Sequence, residues 1–145
     1  ANKAEGTELF KGGNHRHAAA RYNKALTHLA KCFDLAPEQR QEVDALKLSL
    51  NGNMALCYTK LSNWDKVIFH CDDCLKLDPD AVKALFRRAT ALEKKGEIDK
   101  AGADVKRAAA LAPDDKAIRK LGDRIKALQK RQKDKERKMA ARMFG

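Results

Sequence analysis

Long apolar runs are missing from this chain. No stretch approaches the roughly 18–20 consecutive apolar residues that a bilayer-spanning helix needs, so no such span is predicted. Prolines are few, three in 145 residues, and with eight glycines they leave room for long uninterrupted helices. Aromatic residues make up only 6%, which suits thin cores between helices. There is no glycine-rich phosphate loop and no serine paired with a histidine at a recognisable spacing, so no enzyme is expected in these residues. No apolar segment precedes the charged opening after Ala1, so no signal peptide is expected. Four cysteines without a secretory segment suggest a reducing compartment, cytoplasmic or also nuclear. The chain also opens without methionine, and is expected to be a piece of a longer protein.

What is present is charge, at 35% of residues, with a net charge of +11. It is unevenly spread. Between Arg119 and Arg142 there are 11 Lys/Arg against 3 Asp/Glu, so +8 of the +11 lies in the C-terminal tail. The body is only mildly basic. That distribution points to a local groove and a local tail rather than to general nucleic-acid binding.

The organising signal is a repeat. Residues 51–79, NGNMALCYTKLSNWDKVIFHCDDCLKLDP, read as two short helices around a turn at Ser62–Trp64, with the second helix from Asp65 to Leu77 ended by Asp78-Pro79. Shifted by 34 residues, Tyr58 lands on Leu92, Val67 on Ala101, Cys74 on Ala108 and Pro79 on Pro113. A helical hairpin recurring every 34 residues is a solenoid signal. Ala18, Tyr22 and Ala25 match Val67, Cys71 and Cys74 at an offset of 49, one repeat plus 15 residues. The extra length is expected as a lengthened second helix, a loop around Asp34–Pro37 and an early start to the third helix. Gly12-Gly13 and Gly96 mark the other hairpin turns. Small residues (Ala18, Ala25, Ala101, Ala108) fall where helices approach closely, with Tyr22 and Val105 between them. Ile118, Leu121, Ile125 and Leu128 form a stripe able to cap the last open face. Beyond Leu128 the stripe dissolves, and the chain is expected to project or fray.

The expected fold is therefore all-α: three hairpins at about 1–35, 47–79 and 81–113, then a long capping helix and basic tail over 114–145. Gly6, Ala18, Tyr22, Ala25, Tyr58, Pro79, Ala101, Ala108 and Pro113 together resemble the tetratricopeptide (TPR) repeat motif. The phrases FKGGNHRHAAARYNKAL, KLSNWDKVIFHC, KALFRRATALE and KDKERKMAARMF resemble the repeat domain of the large immunophilins, FKBP-type or forty-kilodalton cyclophilin-type co-chaperones.

That resemblance implies a two-carboxylate clamp for the C-terminal Met-Glu-Glu-Val-Asp of heat-shock protein 90, with the seventy-kilodalton chaperone as a second candidate partner. The matching residues are Lys3, Thr7, Asn53, Lys83 and Arg87. Asn53 and Arg87 lie 34 apart, and Lys83 lies one turn before Arg87, so they share a face. Lysines and a forked arginine suit the two carboxylates of a terminal aspartate, and an amide adds a directional donor. Lys3, Asn53, Lys83 and Arg87 are expected to converge on one groove. Thr7 stands where the family often has asparagine, and its hydroxyl offers one hydrogen rather than two. Phe10 is placed to meet the ligand valine and Lys60 an upstream glutamate. The resemblance also implies a prolyl isomerase domain elsewhere in the parent.

Three other signals carry less. Cys71-x-x-Cys74 beside His70 lacks the second cysteine pair of a structural zinc site, and the two cysteines fall on core positions, so no metal or cofactor is expected. His15-x-His17 reads as a solvated turn, and Met54 and Trp64 as core and turn packing. The tail 126–144 reads as a solvated extension. A calmodulin-type or other acidic-partner target is the alternative, anchored by Leu128, Met139, Met143 and Phe144. No nucleic-acid or membrane partner is expected.

Overall fold

The computed structural model describes residues 1–144. Among them are seven α-helices: α1 (Asn2–Lys11), α2 (His15–Ala30), α3 (Pro37–Lys60), α4 (Trp64–Leu77), α5 (Val82–Lys94), α6 (Ile98–Leu111) and α7 (Lys116–Phe144). No strand occurs among the described residues. Each helix packs chiefly on its neighbours in sequence, as a solenoid requires. The core is accordingly three clusters in a row. Tyr22, Leu50 and Met54 centre the first, Val67, Cys71 and Cys74 the second, and Leu85, Val105 and Ile118 the third.

The three hairpin turns share one hydrogen-bond pattern. A residue with positive φ (Gly13, Ser62 or Gly96) donates its N–H to the carbonyl three residues back, and the next residue donates to the carbonyl five back. This is the closure by which a helix satisfies its last carbonyls before reversing. Gly13 and Gly96 adopt φ 82° without a Cβ to clash, whereas Ser62 holds φ 55° with one. The turn at 62 also has a cap: the Asn63 side chain accepts from the Lys66 N–H at 3.4 Å, which starts α4 at Trp64, one residue before the expected Asp65.

Of the extra 15 residues, 11 go into α3. It runs 24 residues against 13 for α5, whereas α2 stops at Ala30 and is only two residues longer than α4. The expected lengthening of the second helix is thus small. Pro37 sets the start of α3, and the Gln39 side chain accepts the Ala36 N–H at 3.1 Å.

Ile118, Leu121 and Ile125 are buried as the capping stripe, with Leu128 only half-buried. From Lys130 onward every described residue of α7 is exposed, yet the helix continues to Phe144. It projects without fraying, because Lys, Arg, Gln, Met and Ala are all strong helix formers.

Candidate functional site

The first helices of the hairpins carry the candidate residues. Val67, Cys71 and Cys74 of α4 bury against Ala55 of α3 and Ala84 and Ala91 of α5, which draws α3 and α5 together. Small residues at these contacts allow the approach. Behind the site, the buried Asn51 donates to the Lys47 carbonyl at 3.1 Å. Its amide oxygen then accepts from His70 Nδ1 at 2.9 Å. The His70 ring stacks on Tyr58, with centroids 5.6 Å apart. Burial lowers the His70 pKa, because the charged imidazolium would be desolvated.

Between α3 and α5 lies a cleft of about 360 Å³ whose lining includes Ser49, Gly52, Asn53, Lys83 and Arg87. It contains two cations and no carboxylate. The Arg87 guanidinium donates to the Gly52 carbonyl at 3.3 Å, which aims the side chain along the groove. A second cleft of about 360 Å³ shares Val82, Lys83 and Arg87 with the first, and is walled by Leu56, Phe86 and Ile118. The two cations therefore form a waist between a polar pocket and an apolar one. One carboxylate, Asp115, lines this second cleft and accepts the Ile118 N–H at 3.1 Å. Arg88 makes a two-pronged contact with Asp104 at 2.7 Å and reaches Asp72 at 2.9 Å, so both of these carboxylates are paired away from the two clefts. Those hydrogen bonds, Asp104 first, raise the Arg88 pKa and keep it charged.

The α1 residues stand differently. Lys3, Thr7 and Phe10 do not line either cleft. The Thr7 hydroxyl donates to the Lys3 carbonyl at 3.0 Å and lies 3.1 Å from the Tyr22 hydroxyl. Its single hydrogen is therefore committed, and Tyr22 is the donor to Thr7. Phe10 packs into the first core cluster and against the His15 ring, at 4.7 Å between centroids. Lys60 is exposed at the end of α3. Of the residues expected to converge, the structure brings together Asn53, Lys83 and Arg87.

Sequence reasoning missed the walls. Ser49, Gly52 and Leu56 were not singled out, although their counterparts 34 residues on are Lys83, Phe86 and Thr90, all lining the second cleft. Reading every groove position across the repeat would have found them. His15 also differs from expectation: it is half-buried on Phe10, while the exposed His17 meets the Asn14 side chain at 2.6 Å. Cys71 and Cys74 lie in the core as expected, and burial pushes their thiols up to about 12 and about 11, far from the reactive thiolate range.

Comparison with known proteins bears on the fold. The tetratricopeptide repeat family matches residues 82–115. The chain is 33% identical over 142 residues to the mouse peptidyl-prolyl cis-trans isomerase FKBP4, covering 98% of this chain and 31% of that protein. The chain thus spans under a third of that relative's length. Among solved structures, the C-terminal TPR-containing domain of a Plasmodium falciparum FK506-binding protein matches with a TM-score of 0.85 at 28% identity, covering 92% of this chain and 89% of that one. The C. elegans myosin chaperone UNC-45 matches with a TM-score of 0.75 at 29% identity, covering 89% of this chain and 13% of that one. With its 34-residue hairpins and stacked cores, the chain is a tetratricopeptide-repeat domain, homologous to the repeat region of the FKBP-type immunophilins.

Proposed function

We propose that this domain docks a chaperone by holding the free C-terminal carboxylates of its acidic tail, with the Met-Glu-Glu-Val-Asp end of heat-shock protein 90 as the ligand. The observation that carries this reading is the carboxylate-free cleft in which Asn53, Lys83 and Arg87 meet. Lys83 and Arg87 supply charge-assisted bonds to the terminal aspartate, and Asn53 supplies a neutral donor. The adjoining cleft walled by Leu56 and Phe86 suits an apolar ligand side chain. UNC-45, similar in fold at 29% identity, was solved in complex with an Hsp90 peptide. In this reading Lys3, which lines neither cleft, serves at most as an outer cation, and Thr7, whose hydrogen is already donated, adds no donor.

In the same reading the chain is the co-chaperone part of a larger immunophilin whose isomerase domain lies elsewhere. A fully exposed α7 tail with no apolar residue from Gln129 to Lys138 makes a poor calmodulin anchor, and the related proteins bring that alternative no support.

Calorimetric titration with acetyl-MEEVD, beside its C-terminal amide, tests the clamp. The free acid is expected to bind with micromolar affinity, about −8 kcal/mol, and the amide to fall away. Truncation after Leu128 should leave that binding intact. Equal binding of acid and amide, or none of either, overturns the assignment.

A further inference from the structure

We propose that the outer groove between α6 and α7 is a docking site for an acidic amphipathic helix of a partner protein. It is separate from the clamp, and its argument begins with the register of the repeat. α5 begins at Val82 and α7 at Lys116, 34 residues later, so the two helices are equivalent. α5 turns Ala84 and Ala91 back onto α4, and Leu85, Ala89 and Leu92 forward onto α6. In α7 the backward positions are Ile118 and Ile125, buried against α6. The forward positions are Arg119, Asp123 and Lys126, and all three are exposed. Among the described residues no helix follows to lie against α7 as α6 lies against α5.

The space where such a helix would sit is a groove of about 650 Å³, the largest of the clefts described. Its floor is apolar: Val105, Ile118 and Ile125. At Gly122 a Cβ would stand 3.2 Å from Val105 Cγ1, so the two helices approach closely at its base. Its rim is basic, with Lys106, Arg119 and Lys126 against a single Asp123, a balance of +2. Arg119 donates to the Pro113 carbonyl at 3.0 Å and stands 3.8 Å from Asp114. Lys106 and Lys126 meet no carboxylate among the described residues.

The cleft one repeat earlier shows why this matters. It is lined by Asp72, Arg88, Glu97, Lys100 and Asp104. There Arg88 pairs with Asp72 and Asp104, and Lys100 with Glu97, so every cation is paired and the balance is −1. The α6–α7 groove instead keeps Lys106 and Lys126 without a carboxylate partner among the described residues. An incoming helix therefore needs an apolar stripe for the floor and carboxylates along its flanks. A second copy of this chain, with net charge +11, would bring the wrong sign.

The test is an NMR titration of the ¹⁵N-labelled chain with a leucine-striped, glutamate-flanked peptide of about 18 residues, five helical turns. A scrambled peptide of the same composition and a lysine-flanked version serve as controls. Saturable shifts are expected at Gly102, Val105 and Gly122 with the acidic helix alone. The double variant Lys106→Glu/Lys126→Glu should weaken that binding at least tenfold, while acetyl-MEEVD titration and helicity stay unchanged. Three results would overturn the proposal: equal binding by the scramble, shifts confined to 130–144 or to the Lys83–Arg87 cleft, or full affinity in the double variant. Self-association of the chain through the same amides would overturn it as well, by making the occupant a second copy.

Discussion

The α3–α5 cleft and helix α1 carry the same kinds of residue and use them differently. At the α3–α5 end, Asn53 and Lys83 face a carboxylate-free cleft, and Arg87 donates only one of its N–H groups inward, to Gly52. At the α1 end, Thr7 gives its hydrogen to the Lys3 carbonyl, Tyr22 bonds back to Thr7, and Phe10 packs on His15. The cleft presents donors to solvent, whereas Thr7 and Tyr22 spend theirs in packing and leave the Lys3 ammonium as the cation of the α1 site. A motif residue contributes to binding through the hydrogens it has left over, not through its identity alone.

Charge reversal at both ends breaks or confirms that contrast most strongly. Arg87→Glu should cost about 2–5 kcal/mol of free-acid peptide binding, roughly thirtyfold or more. Lys3→Glu should cost about 0.2–1 kcal/mol, less than about fivefold, as for a solvated pair. Equal losses by calorimetry would mean that both ends clamp alike.

Gly6→Ala probes what α1 is built to do. A Cβ there would stand 2.7 Å from the Tyr22 ring, which is buried and tied to Thr7. The substitution should lower stability by about 1–3 kcal/mol, read by denaturant unfolding. An unchanged midpoint would mean that Tyr22 is free to move aside.

Thr7→Val keeps the shape and removes the hydroxyl. Loss of the paired bonds should cost about 0.5–1.5 kcal/mol of stability, while peptide affinity stays within about twofold. A large affinity loss at unchanged stability would make Thr7 a ligand donor and erase the contrast.

The smallest expected effect belongs to the support behind the α3–α5 end. His70 is neutral in the fold and its pKa lies below 6.5, chiefly through burial, with Asp73 opposing and Lys66 assisting the shift. The native state then binds protons less readily than the unfolded chain. Its contribution is full above about pH 6.5 and is lost as pH falls through the lowered pKa. Thermal unfolding from pH 7.5 to 5 should show a decline that is shallower in His70→Gln. Parallel curves would remove His70 from the account.

Much of this was readable as spacing. The 34-residue interval that carries Pro79 onto Pro113 also carries Ser62 onto Gly96, and both pairs mark equivalent ends of helices. Asn53 and Arg87 share that interval, and they do line one cleft. The same logic put Cys71 and Cys74 in the core. It failed for His15, whose burial depends on where the Phe10 ring lies, and it could not see that the 15 extra residues would extend α3 far more than α2.

The sequence by itself determined the period, the hairpins, the turn sites and the set of small residues at helix contacts. These are local properties, dictated by backbone propensity and by which side chains recur on one face of a helix. Only the tertiary structure decided which donors remain free, that Arg88 ties up Asp72 and Asp104, that Lys3 and Thr7 stand outside the clefts, and that a basic groove lies open against α7. Each of these depends on a few ångströms between atoms of different helices, a separation that spacing along the chain does not encode.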